Sequence, residues 1–116
     1  MLTDGTQNNI GAAATVNVFL GRPIEFIGVP SVMRLLAVSD LIGMSAQLLI
    51  NVGGDQRAPI ASGQPLGLAN PVGGGPKDDE DNVAVGVPIP AGARLQFNVT
   101  NPGAAANMRW RAYLLP

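Results

Sequence analysis

"VPIPAGARLQFNVTNPGAAANMRWRAYLLP", residues 87–116, decides the fold class. Leu95, Phe97 and Val99 alternate with Arg94, Gln96, Asn98 and Thr100. After a turn of small residues, Met108, Trp110, Ala112 and Leu114 alternate with Arg109, Arg111 and Tyr113. Successive side chains of a strand point to opposite faces, so a period of two writes a strand with one buried side. The stretch reads as a β-hairpin whose inward rows wall one small core. Nothing in it suggests catalysis.

The same grammar runs backwards along the chain. "NVAVGVPI" (82–89) is strand-like and ends at the turn "PAG" (90–92). "ATVNVFLG" (14–21) opens the strands, and "RPIEFIGV" (22–29) follows between Pro23 and Pro30. In that second run Ile24, Phe26 and Gly28 fall on one side and Glu25 and Ile27 on the other. "SVMRLLAVSD" (31–40) and "MSAQLLINVGG" (44–54) flank a turn at Asp40 and Gly43 and read as a long hairpin. Their near-continuous apolar content predicts burial on both faces, against the core and against a partner. "DQRAPIASG" (55–63) is a short strand between turn signals. Residues 1–13 are small and polar and read as an N-terminal arm. Residues 64–82 form a long Pro/Gly/Asp loop, of a length that is often functional.

Gly (15) and Pro (10) exceed a fifth of the 116 residues and interrupt every window long enough for a useful helix. One helical turn over "PKDDED" (76–81) is compatible with Pro at a first position followed by acids. About eight antiparallel strands with turns between them predict an all-β, jelly-roll-like sandwich spanning 14–116 as one domain.

Composition narrows function by exclusion. Charged residues are only 13% of the chain, and the net charge is −1. Protein interfaces are depleted in Lys, Glu and Asp, so a charge-poor surface suits a subunit buried against neighbours. The seven basic residues are scattered and form no stripe that would displace counterions from nucleic acid. The absence of Cys rules out disulfides and thiolate sites, and the absence of His removes the usual general base and commonest metal ligand. The N-terminus lacks the basic and apolar regions of a secretory signal, and no apolar run reaches the ~20 residues of a membrane span. A chain made in a cytoplasm that stays soluble is the expectation.

Each chemical motif has a plainer reading. Asp78, Asp79, Glu80 and Asp81 could offer oxygen ligands to Ca²⁺, but without the EF-hand spacing they read equally as a solvated loop tip. "GGGPK" (73–77) lacks the phosphate-loop spacing. "NVT" (98–100) matches a glycosylation sequon, yet Asn98 and Thr100 are also the outward residues of a strand. Glu25, Asp40 and Asp55 sit at strand ends or turns, and no nucleophile–base pair accompanies them. The reading is that the protein is not an enzyme and takes no cofactor and no metal. Trp110 shares its row with Met108, Ala112 and Leu114, so it belongs to a core face more readily than to a sugar platform. A carbohydrate-binding module stays open as an alternative, because this fold hosts lectins.

The order "INVGGDQRAPIASG", then "NPVGGGPKDDEDNVAVG", then the closing 30 residues resembles the jelly-roll cement, or decoration, proteins of tailed-phage capsids. "AGARLQFNVTNPGAAA" (91–106) carries most of the likeness, and "TVNVFLGRPIEFIGVPS" (15–31) fits the family's opening strand and hairpin. The resemblance implies homotrimers on the outer capsid surface that contact the major capsid protein and stabilise the shell, in a protein located on the virion. Similar hairpins occur in tail and fibre proteins, which stay open as a further alternative. No capsid-contact motif of the family maps onto individual positions. The expected contacts therefore come from the arm, the long loop and the outward row of the last strand: Leu2, Ile10, Leu66, Leu68, Arg109, Arg111 and Tyr113.

Overall fold

A computed structural model describes residues 2–11, 14–41, 43–68, 76 and 81–116. Among them are ten strands: β1 (Leu2–Ile10), β2 (Thr15–Asn17), β3 (Phe26–Ile27), β4 (Ser31–Ser39), β5 (Ser45–Val52), β6 (Asp55–Pro65), β7 (Gly67–Leu68), β8 (Asn82–Ile89), β9 (Ala93–Thr100) and β10 (Ala106–Leu115). One 3₁₀ turn, Pro23–Glu25, precedes β3. No helix among the described residues is long and apolar enough to cross a membrane.

The strands form two sheets. In the first, β1 pairs with β10, β10 with β4, and β4 with β8, all antiparallel. The short β7 runs parallel to the far end of β4. In the second, β2 pairs with β9, β9 with β5, and β5 with β6. The short β3 extends the same edge of β9 as β2, so the pair acts as one broken strand. The order β1-β10-β4-β8 facing β2/β3-β9-β5-β6 is that of a jelly roll, with the first and last strands side by side.

This topology changes three readings. The closing stretch is not a hairpin. β9 lies in the second sheet and β10 in the first, so they face each other across the core. The alternation of Leu95, Phe97 and Val99 with Met108, Trp110 and Leu114 is real, and all six are buried. Strands that face each other and strands that lie side by side bury their inner rows alike, so the pattern alone does not separate them. The crossing is pinned by Asn101, fully buried, whose Nδ2 donates to the carbonyls of Ile10 and Ala104, both at 2.8 Å. Its Oδ1 accepts from the Gly103 N–H at 3.0 Å.

The 31–54 stretch behaves the same way: β4 and β5 occupy different sheets. The true hairpin is β5–β6, where Val52 opposes Asp55 around Gly53 and Gly54. Their φ angles of 54° and 93° give the two-residue turn that needs positive φ at both positions. Burial on both faces holds for β4, a central strand. Leu35 and Ala37 join the core, while Leu36 and Val38 are buried on the opposite side within the chain itself. β5 instead alternates, with Ala46, Leu48 and Ile50 inward and Gln47 and Leu49 half-buried.

The expected arm is strand β1. Leu2 through Gln7 pair in register with Tyr113 through Met108, so the free edge of β10 imposes a strand on a segment of weak β-propensity. Gly5 lies opposite Trp110, and a Cβ there would stand 2.9 Å from the indole ring. The run 22–29 also shortens. Its 3₁₀ turn breaks the period of two, so Ile24, Glu25 and Ile27 are all buried and Phe26 is exposed. The Phe19 and Phe97 rings lie 5.3 Å apart between centroids and tilted by 40°, and Phe19 and Trp110 meet in a T-shaped arrangement at 5.0 Å. These three rings centre the core.

Candidate functional site

Two of the three carboxylates outside the loop and the first strand, Glu25 and Asp40, are already engaged, and Asp55 is exposed at the β5–β6 turn. Glu25 is buried, with Oε2 accepting from Arg94 Nε at 3.1 Å and Oε1 accepting from the Gly21 N–H at 3.2 Å. Asp40 Oδ1 pairs with Arg109 Nη1 at 2.8 Å. Among the described residues no cluster of acids could hold a metal ion. Asp78, Asp79 and Glu80, the helical turn expected there and most of the long loop lie outside the described residues.

Trp110 is 1% exposed and cannot serve as a sugar platform. The Arg22 guanidinium lies 5.7 Å from its ring centroid, and Arg22 Nε donates to the Val18 carbonyl at 2.8 Å. Asn98 and Thr100 occupy the outward row of β9, with Gln96 and Arg94. Across this sheet Asn51 Nδ2 donates to Gln96 Oε1 at 3.2 Å, and Thr15 and Thr100 share a hydroxyl hydrogen bond at 2.9 Å. The second sheet thus presents a mainly uncharged amide and hydroxyl face.

The first sheet presents something different. Arg109, Arg111 and Tyr113 alternate with the buried Met108, Trp110, Ala112 and Leu114, so they share the outer side of β10. The neighbouring strand adds Arg34, opposite Tyr113 in the register, with its guanidinium 5.8 Å from the phenol ring centroid. Arg34 Nε also donates to Asn82 Oδ1 at 2.7 Å. Three of the chain's six arginines and its one tyrosine therefore stand together on a single sheet face.

The other expected contact residues do not gather there. Ile10 and Leu66, at 1% and 8% exposure, belong to the core. Ile10 closes the end of β1, and the Leu66 N–H donates to the Met44 carbonyl at 2.9 Å, which draws it inward. Both leave the set of partner contacts. Leu68 is exposed at the end of β7. Leu2 pairs with Tyr113 through the backbone, beside the arginine row, and its side chain lies outside the described residues.

A second surface has no clear sequence signal. Phe26, Val29, Val32 and Leu115 are large, apolar and exposed. Phe26 and Val29 line a shallow cleft of about 280 Å³ with Pro23, Leu114 and Pro116, whereas Leu115 opposes Val32 in the register and both continue the outer face that carries Arg34 and Tyr113. The 3₁₀ turn that reverses the phase at Phe26 hides this site from a period-of-two reading. No protein-family model matches the chain, and no curated protein matches it.

Proposed function

We propose that this chain is a structural protein of a phage virion, a cement or decoration subunit that binds the outer capsid surface. The observation that supports this most is the Arg34, Arg109, Arg111 and Tyr113 face. Arg and Tyr are enriched at interface hot spots, whereas Lys and Glu, the residues of ordinary solvated surface, are absent from that group. The arginines are held by neighbours, as in Arg109 on Asp40, so they enter a contact with little rotamer freedom left to lose. The pairing of Glu25 and Asp40 with arginines and the buried indole favour a role in contact over one in catalysis or sugar binding. A protein that binds only the assembled shell stabilises it by mass action, and such a role needs complementary surface alone.

The test is co-sedimentation of the purified chain with assembled capsids. Arg111→Ala combined with Tyr113→Ala is expected to weaken capsid binding at least tenfold while the folded chain persists. Undiminished binding by that double variant removes this face from the contact. Absence of binding by the parent chain removes the function.

A further inference from the structure

On the outer face of the first sheet, two neighbouring rows differ in chemistry. In one, Arg34 lines up with Tyr113, and Tyr113 with Leu2; in the other, Val32 lines up with Leu115 and with Pro88. Val32 is 48% exposed and Leu115 65%. With Met33, Arg34, Gly86 and Tyr113 they line a shallow groove of about 310 Å³. We propose that this groove docks an extended segment of a partner protein that carries an aliphatic and an acidic residue two positions apart. The proposal rests on the reading of this face as the contact surface and names the chemistry that the surface takes.

Charge selects the acid. Strands β4, β8 and β10 carry three arginines and no Asp or Glu. The neighbouring acids stand away from the groove. Asp40 follows the far end of β4 and holds Arg109, and Asp81 precedes β8 with its carbonyl on the Ala37 N–H at 3.1 Å. Asp4 is paired with Arg111, in the next outward row. None of the residues paired in the two groove rows is acidic. Two neutral groups orient Arg34. Its Nε donates to Asn82 Oδ1 at 2.7 Å, and its guanidinium lies 5.8 Å from the Tyr113 ring centroid. They fix the plane of the fork, and neither neutralises its charge. A guanidinium held in this way meets a carboxylate in a defined plane, which suits it to a directed ion pair.

Geometry selects the spacing. Val32 and Arg34 are two residues apart on one strand, so their side chains leave the sheet about 7 Å apart on the same face. An extended segment laid along β4 repeats that interval between its own alternate side chains. It sets an aliphatic side chain on Val32 and Leu115 and a carboxylate at Arg34 together. Gly86 adds no side chain to the rim, which leaves the groove open towards β8. The aliphatic floor separates such a segment from a simple anion, which meets the arginines and leaves Val32 and Leu115 in water. Strand pairing holds both sides of the groove, so docking orders little of this chain that is not ordered already.

The experiment is an NMR titration of the full chain, with no capsid present, using a blocked peptide of sequence Gly-Ser-Leu-Ser-Glu-Ser-Gly. Counterparts with lysine for the glutamate and with serine for the leucine, and inorganic polyphosphate, are titrated in parallel. The first peptide is expected to shift the amide signals of Val32, Arg34, Tyr113 and Leu115, and to bind at least tenfold tighter than either counterpart. Raising the salt from about 0.01 M to about 1 M, which shortens the Debye length from about 30 Å to about 3 Å, should weaken it several-fold. Arg34→Glu and Leu115→Ser should each weaken it at least tenfold, and if one of them fails to fold the other decides. Arg57→Glu, at an exposed position of β6, makes the same change of net charge as Arg34→Glu and should leave binding unaltered. Absence of shifts at the groove overturns the inference. So does an equal response to the lysine peptide or to polyphosphate, and so does unaltered binding by the folded variants. Capsid co-sedimentation is read separately. A chain that takes the peptide and no capsid keeps the groove and overturns the proposed function. A chain whose capsid affinity Arg34→Glu does not move keeps the function and overturns the groove.

Discussion

Trp110 concentrates the physical logic of the molecule at the residue scale. It touches Phe19, lies under Arg22 and faces Gly5 across the β1–β10 ladder. Its loss leaves a large hole in a core that cannot collapse around it. Trp110→Ala should therefore cost about 3–5 kcal/mol in urea unfolding. Gly5→Ala should cost about 1–3 kcal/mol for the opposite reason, overpacking against the indole and the Arg22 guanidinium. Equal stability of Gly5→Ala and the parent would show that β1 does not sit against Trp110. That Trp110 is a core residue was legible from its neighbours Met108, Ala112 and Leu114 in the same row. That glycine faces it was not, because the contact joins residues more than a hundred positions apart.

At the scale of elements, the strands were readable and their partners were not. β9 and β10 declare themselves by alternation, yet alternation is silent on whether two strands pair or face each other. β5 and β6 form the hairpin because Gly53 and Gly54 accept positive φ at adjacent positions. Asn-Gly is the strongest natural choice for that turn, so Gly53→Asn should raise stability by roughly 0.5 kcal/mol, read from the thermal midpoint. β1 reverses an expectation. Residues 1–13, read as an arm, would be dispensable for folding, but Leu2–Ile10 is a sheet strand and Ile10 is in the core. Removal of 1–13 should strip the edge from β10 and markedly lower the unfolding midpoint. A truncated chain that melts with the parent would contradict the β1–β10 pairing. The contact row was half legible. Arg109, Arg111 and Tyr113 follow from the period of two, but Arg34 joins them only through the β4–β10 register. Ile10 and Leu66 look like exposed leucine-type anchors in sequence and are drawn inward by tertiary packing.

For the molecule as a whole, the two sheets bury one core and leave two unlike outer faces. The second sheet shows amides and hydroxyls, the first shows arginine and tyrosine with Val32 and Leu115 continuing the same rows, and Phe26 and Val29 line a cleft beside β3. Low charge and the lack of His and Cys were legible from composition and pointed towards contact instead of chemistry. The separation of surfaces was not, since it depends on which strands lie in which sheet. The most direct measurement of the proposed function is the protein composition of purified virions from a phage whose genome encodes this chain, quantified against the major capsid protein. The account predicts this chain at a fixed stoichiometry on intact particles. Its absence from washed, intact virions would contradict the account.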